Sequence, residues 1–293
     1  MESKKRKVED LESSSSNNNE PPTKKVQQQQ PVITYREPSI LNIRPLDDIT
    51  KYIADLIATH CQQENVEIEA KLGRFIDKAT KERLNMGAIT ETIIPSDQMR
   101  FYRFESNMPL EQHRHFNKML NDMVTRTQAR EYKGERIKYK HTIETDRFYE
   151  MPRSKGKWRV TTDQATGQII PNGIIEKKRI VDLNIHAPNQ PLDYRISINI
   201  EIPRTKPTTK PVYERNKDRI SYQHGGIAFD LTQVKGGTND PEIRHELELE
   251  FADAKILAAE KRKHDKKEPS QYTHMIEIFV NNIRILSRNA LKL

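Results

Sequence analysis

His245-Glu246-Leu247-Glu248-Leu249-Glu250-Phe251 decides the fold. Side chains along a β-strand alternate between faces, so Glu246, Glu248 and Glu250 share one face while Leu247, Leu249 and Phe251 share the other. Carboxylates two residues apart on a strand lie about 7 Å from each other and repel by about 2 kcal/mol per pair at an effective dielectric near 20. Such a row needs positive charge beside it, and a hard divalent cation held by oxygen ligands is the simplest source. The same alternation stands at Val66-Glu67-Ile68-Glu69-Ala70-Lys71-Leu72. Either run alone reads as an ordinary amphipathic strand with a solvated face. A third run shifts the balance, because Glu214-Arg215-Asn216-Lys217-Asp218-Arg219-Ile220 sets Arg215, Lys217 and Arg219 on one face. Two acidic rows and one basic row in separate strands fit one charged interior that takes a metal and a polyanion together.

Around these rows, positions 130–251 alternate in short runs broken by Gly, Pro and Asn. Strands are predicted over 136–143, 146–151, 157–162, 174–181, 194–202, 215–222, 226–232 and 244–251, besides the one near Glu67. Asp163-Gln164-Ala165-Thr166-Gly167 reads as a hairpin loop. Helical stripes are predicted at 45–60, 110–127, 252–263 and 271–287, with the basic stretch 261–267 as a solvated linker. A small barrel normally fills its interior with apolar side chains. Here the strict alternation predicts the inverse, a barrel whose outer face packs on helices and whose lumen is polar. The fold class expected is α+β, a mostly antiparallel β-barrel with flanking helices. Glu201, Arg159, the adjacent pair Lys177 and Lys178, and Asp230 with Thr232 extend the charged series, and only one of the two lysines can face inward.

The chain has 293 residues, 31% of them charged, with a net charge of +8 that favours polyanionic partners. Cys61 is its one cysteine, which excludes an internal disulfide and a cysteine-based zinc site. No apolar run approaches a membrane span, and a soluble, intracellular protein with no membrane association is expected. Residues 1–37 read as a disordered tail, with Ser/Asn and Gln tracts, and 38–293 as one catalytic domain. Lys4-Lys5-Arg6-Lys7-Val8 in the tail reads as a nuclear-import cluster, so a nuclear location is expected.

A polar tunnel of this kind suits phosphate chemistry. Carboxylates recruit Mg²⁺ or Mn²⁺, basic side chains neutralise phosphate oxygens, and a further carboxylate orients water. No Walker-type glycine loop and no H-E-x-x-H pattern is present. A non-catalytic RNA-binding barrel is the competing class. It calls for aromatic platforms, which Trp158 and Tyr222 do not form, and it leaves the glutamate row without a role.

At Glu67-Ile68-Glu69-Ala70-Lys71-Leu72-Gly73, Arg159-Val160-Thr161-Thr162-Asp163, Ile196-Ser197-Ile198-Asn199-Ile200-Glu201-Ile202-Pro203, and the runs 214–222 and 245–251, the chain resembles the fungal mRNA 5′-triphosphatases, β subunits of the capping enzyme. These belong to the triphosphate tunnel metalloenzyme superfamily. The resemblance spans about 43–286 and implies an eight-stranded antiparallel barrel enclosing a hydrophilic tunnel. It implies metal-dependent removal of the γ-phosphate from triphosphate-ended RNA; other tunnel enzymes hydrolyse other triphosphates or polyphosphate. By that resemblance Glu67, Glu69, Glu246, Glu248 and Glu250 include the metal ligands, with Glu67, Glu69 and Glu248 coordinating directly. Glu201 orients water; Arg159, Lys217 and Arg219, with Lys177 or Lys178, hold phosphates; Lys71 lies in the substrate site. Asp146, Arg215, Asp230 and Thr232 support them. A homodimer and docking to the guanylyltransferase (the capping enzyme α subunit) and RNA polymerase II are implied likewise. One departure is that Ala228 stands where relatives often carry arginine.

Overall fold

Strands β1 (Val66–Asp77) and β10 (Ile243–Phe251) pair antiparallel, with Glu69 opposite Glu250 and Lys71 opposite Glu248, and that pairing closes a ring. The other members are β4 (Lys138–Glu150), β5 (Lys157–Asp163), β6 (Ile169–His186), β7 (Asp193–Pro203), β8 (Tyr213–His224) and β9 (Ile227–Gly236). Round the barrel the order is β10-β9-β8-β4-β5-β6-β7-β1 and back to β10, each pair antiparallel. The computed structural model describes residues 36–151, 156–237 and 242–293, so the basic cluster at Lys4–Val8 lies outside the described residues. Residues 36–45 belong to a separate short unit with a turn closed by Asn42 N–H to Ser39 C=O at 2.9 Å.

Four helices flank the barrel: α1 (Asp48–His60), α2 (Leu110–Gln128), α3 (Ala254–Asp265) and α4 (Tyr272–Asn289). Asp47 caps α1 by accepting from Thr50 N–H at 3.0 Å, and Asp253 caps α3 by accepting from Lys255 N–H at 2.8 Å. Ile53 and Ile57 of α1, Phe116 of α2, Leu257 of α3 and Ile276, Phe279 and Ile283 of α4 join one core with the outward row of each acidic strand. Those rows are Ile68, Ala70 and Leu72 on β1 and Leu247, Leu249 and Phe251 on β10. Burying each such Leu or Ile contributes about 1.5–3 kcal/mol, so the apolar half of the alternation fixes register and turns the glutamates inward. The inverted barrel expected from the sequence is the one observed. No helix among the described residues is long and apolar enough to cross a membrane.

Glycine is required at two places. A Cβ on Gly73 would stand 2.2 Å from the Glu105 carbonyl oxygen, where β3 (Tyr102–Glu105) begins its antiparallel pairing with the end of β1. Gly225 and Gly226, both with positive φ, make the two-residue turn between β8 and β9.

The structure differs from the sequence reading in three places. The segments 136–143 and 146–151 form one continuous strand, β4, because the polar pair at its middle is satisfied on both sides. Glu144 lies opposite Asp163 and Lys217, and the Thr145 hydroxyl donates to the Asn216 side-chain oxygen Oδ1 at 2.8 Å. Two strands escaped detection, β2 (Thr92–Ile94) and β3, of three and four residues, too short to display a period. The stretch 261–267 is not all linker: α3 runs to Asp265, held by Lys261–Asp265 and by Lys263–Glu260 at 2.5 Å.

Candidate active site

The lumen holds a cavity of about 360 Å³ lined by eight Lys or Arg and five Glu side chains. Strand parity places them. Glu67, Glu69 and Lys71 come from β1, Lys177 and Arg179 from β6, Arg215, Lys217 and Arg219 from β8, and Glu246, Glu248 and Glu250 from β10. Lys157 and Arg159 of β5 and Thr232 of β9 complete the charged and polar wall.

The charges are paired rather than free. Lys177 stands 2.5 Å from Glu67 and 3.2 Å from Glu69. Burial opposes its charge, but the two glutamates outweigh that and raise its pKa above the usual lysine value. Lys71 contacts Glu248 and lies 3.7 Å from Glu246. Burial alone would raise the Glu248 carboxyl; Lys71 and Arg219 override it and hold it well below the carboxylate range. Glu246 also accepts from Ser106 Oγ at 2.9 Å.

Behind this layer, Arg219 pairs with Asp230 at 2.7 Å, reaches Glu248 at 3.5 Å and donates to Thr232 at 3.1 Å. Asp146 is fully buried and accepts from Arg215 at 3.0 Å and from Thr161 at 2.7 Å, with Lys217 at 3.2 Å. Burial raises its pKa, yet the three cations Lys217, Arg215 and Arg159 hold it low. Lys217 also meets Glu144 at 3.1 Å. Burial pushes its ammonium down more than Asp146 and Glu144 draw it up, but with a carboxylate on either side it is the cation of both pairs. Glu201 faces Arg159 at 3.1 Å.

Glu250 is different. Burial, then Asp230 and Glu67, push its carboxyl up to about 8. Its neighbour across β9 is Ala228, so the arginine expected from the resemblance is absent beside the one glutamate that lacks a cation of its own.

The sequence-predicted residues therefore converge on the cavity, with Glu201 beside the lining through its pair with Arg159 and Lys178 alone turned away. Lys178 lies opposite Ile200 on the outer face and is exposed, while Lys177 lies opposite Glu201 and points inward. Asp146 and Asp230 sit behind the lining and fix its cations. Arg179, Asn199, Lys157, Phe148 and Tyr213 went unremarked in the sequence. Asn199 is buried and donates to Glu67 at 2.8 Å and Glu69 at 3.2 Å. Each was findable by stepping two residues from a chosen one: Arg179 from Lys177, Asn199 from Glu201, Lys157 from Arg159, Phe148 from Asp146 and Tyr213 from Arg215.

The donor set suits a hard divalent cation, being oxygen-only, buried and crowded enough to raise the Glu250 carboxyl. Among the described residues no three acids meet closely enough to enclose an ion as they stand, with Lys71 and Lys177 drawn in between them.

Comparison with known proteins agrees with this geometry. The family model described as "mRNA capping enzyme, beta chain" matches residues 43–292. The mRNA-capping enzyme subunit beta of Schizosaccharomyces pombe is 35% identical over 264 residues, covering 86% of this chain and 84% of that protein. That of Cryptococcus neoformans is 32% identical over 262 residues, covering 86% of this chain and 64% of a longer protein. The solved structure of the S. pombe Pct1 RNA triphosphatase matches with a TM-score of 0.80 at 32% identity, and its complex with the Spt5 CTD with 0.81 at 33%. Each covers 88% of this chain and all of the solved one. With the family model matched over nearly the whole described chain and the tunnel walls in place, the chain belongs to the mRNA capping enzyme β-chain family.

Proposed function

We propose that this chain is the RNA 5′-triphosphatase of mRNA capping, removing the γ-phosphate from the 5′ end of nascent RNA to leave a diphosphate end. One observation carries the reading: carboxylates and cations share a single 360 Å³ cavity inside a closed barrel. A cavity of that size admits a triphosphate, its excess of cations suits a polyanion, and its carboxylates can take a divalent metal.

Glu67, Glu69 and Glu248 hold the metal, with Glu246 and Glu250 completing the acidic set. Bound there, Mg²⁺ or Mn²⁺ supplies neutralisation of phosphate charge. Arg159, Lys177, Lys217 and Arg219 grip phosphate oxygens and keep the chain in line for attack. Lys71 and Arg215 add positive charge; Asp146, Asp230 and Thr232 hold Lys217, Arg215 and Arg219 in place. Glu201, anchored by Arg159, orients the water and accepts its proton. Lys178 takes no part in this scheme.

The capping role places the chain in the nucleus, beside the guanylyltransferase α subunit and transcribing RNA polymerase II, as a homodimer. The pairing of the Pct1 relative with the Spt5 CTD supports a place near the polymerase. The test is γ-phosphate release from triphosphate-ended RNA with Mg²⁺ or Mn²⁺, comparing the unaltered protein with Glu248→Ala. Release that vanishes in a variant of unchanged circular dichroism is expected. Equal release from both sinks the tunnel mechanism, and RNA binding without release from either makes this a silent barrel.

A further inference from the structure

Phe148 and Tyr213 are the two aromatic side chains that line the tunnel cavity. They face each other across β4 and β8 and stack with centroids 4.3 Å apart and planes 11° apart. Of the outward aromatics of the same barrel, Tyr222 and Phe229 are buried in the core, while Tyr139 is exposed. Tyr213, on the lumen side, keeps 46% of its surface exposed. Cations attend both rings, Arg215 lying 5.1 Å from the Phe148 centroid and Lys157 4.9 Å from that of Tyr213. Packing against helices does not explain them, because they point away from every helix-covered face.

A second groove of about 620 Å³ adjoins the tunnel and shares Tyr213, Arg215, Val234 and Glu246 with it. Pro211, Val212, Gly236 and Arg244 form its further side. Anything tethered to a phosphate in the tunnel and leaving by that groove passes the ring of Tyr213. Along β8 the inward positions Tyr213, Arg215 and Lys217 follow at about 7 Å per step, so the Tyr213 position lies about 14 Å along the strand from that of Lys217. That is on the order of the reach from a γ-phosphate to the base of the same nucleotide. Aromatic rings flanked by cations are the chemistry that holds a base attached to a phosphate chain.

We propose that the Phe148–Tyr213 stack seats the first nucleobase of the triphosphate-ended RNA, with the adjoining groove carrying the nucleotides that follow. The inference rests on the RNA triphosphatase reading and goes beyond it by naming the element that tells an RNA end from a bare polyphosphate. Every base offers a ring face, so the seat tolerates all four while rejecting an end without a base. The lysine over Tyr213 also reaches Glu150 at 3.5 Å, giving it a second partner when a base displaces it.

The test uses the full chain and three substrates: a triphosphate-ended oligoribonucleotide, the same oligonucleotide with an abasic first residue, and inorganic tripolyphosphate. A preference of about tenfold in kcat/KM for the base-bearing end over the abasic one is expected, the scale of one base stack. Tyr213→Ala should erase most of that preference and Tyr213→Phe should keep it, with circular dichroism confirming both folds. An intact protein that cleaves both RNA ends at equal rates overturns the stack while leaving the triphosphatase reading standing. So does a Tyr213→Ala variant that slows both ends by the same factor. Cleavage of tripolyphosphate with neither RNA touched would instead sink the RNA reading itself, and the stack with it.

Discussion

Asn199 donates its side-chain amide to the Glu67 carboxylate at 2.8 Å from the neighbouring strand β7. The same amide reaches Glu69 at 3.2 Å, so one buried side chain sets the orientation of two proposed metal ligands. Groups that orient metal ligands typically matter by 10–100-fold in metal affinity or activity. Asn199→Ala should therefore raise the Mn²⁺ concentration needed for half-maximal phosphate release by roughly tenfold, with an unchanged circular dichroism spectrum. A metal titration identical to that of the unaltered protein would show that the glutamates hold themselves.

Lys177 and Lys178 are adjacent, and parity separates their fates. Lys177→Ala removes the cation between Glu67 and Glu69 and should cut kcat/KM by about 100-fold. Lys178→Ala should stay within about twofold, since its side chain lies on the exposed outer face. Steady-state kinetics on the two variants decides it, and an inverted result would mean that β6 pairs one residue out of register.

Lys217 is the cation most deeply set in the wall. Lys217→Ala leaves Glu144 and the buried Asp146 short of a partner, although Arg215 still faces Asp146. Breaking a buried pair from one side costs about 3–5 kcal/mol, and the surviving arginine puts this case at about 3. Urea unfolding monitored by circular dichroism measures it, and a loss under 1 kcal/mol would show that water reaches the pair.

His113 and His245 lie with ring centroids 4.9 Å apart between α2 and β10. Burial, and then the neighbouring His245, pull the His113 imidazole down to about 4. A histidine whose folded pKa is depressed stabilises above its unfolded value near 6.5, where both states are neutral. As pH falls from 6.5 to 4 the unfolded chain takes the proton first, so stability is lost through that window. The loss should be about 1–2 kcal/mol after solvent screening. In His113→Leu the melting temperature should fall less steeply over that window, and a slope equal to that of the unaltered protein would acquit the histidine.

What the sequence made legible follows from how local each signal is. The period-2 alternation of Glu67–Leu72 and Glu246–Phe251 is a property of single strands, so the inverted barrel and its acidic rows could be read directly. Cross-strand neighbours are not written locally. That Asn199 bridges Glu67 and Glu69, or that Ala228 stands opposite Glu250, depends on register between distant segments. Lys178 stands as a candidate beside Lys177 in the sequence because two consecutive lysines leave the strand's facing open until its partner is known. Phe148 and Tyr213 carry no local signal, because an aromatic on a β-strand looks like core, and here the core is on the other side.

The pairing of β1 with β10 has a consequence for the chain's birth. Its two strands are joined across roughly 180 residues, which at usual synthesis rates separates their emergence by on the order of 10–40 s. Until β10 arrives, β1 and β9 each present an open edge to other chains, a hazard that only completion removes. The acids are divided the same way, Glu67 and Glu69 made early and Glu248 and Glu250 last. On the proposed reading a nascent or truncated chain would own half of the metal grip, and competence to take up a divalent ion would serve as a stamp of finished manufacture.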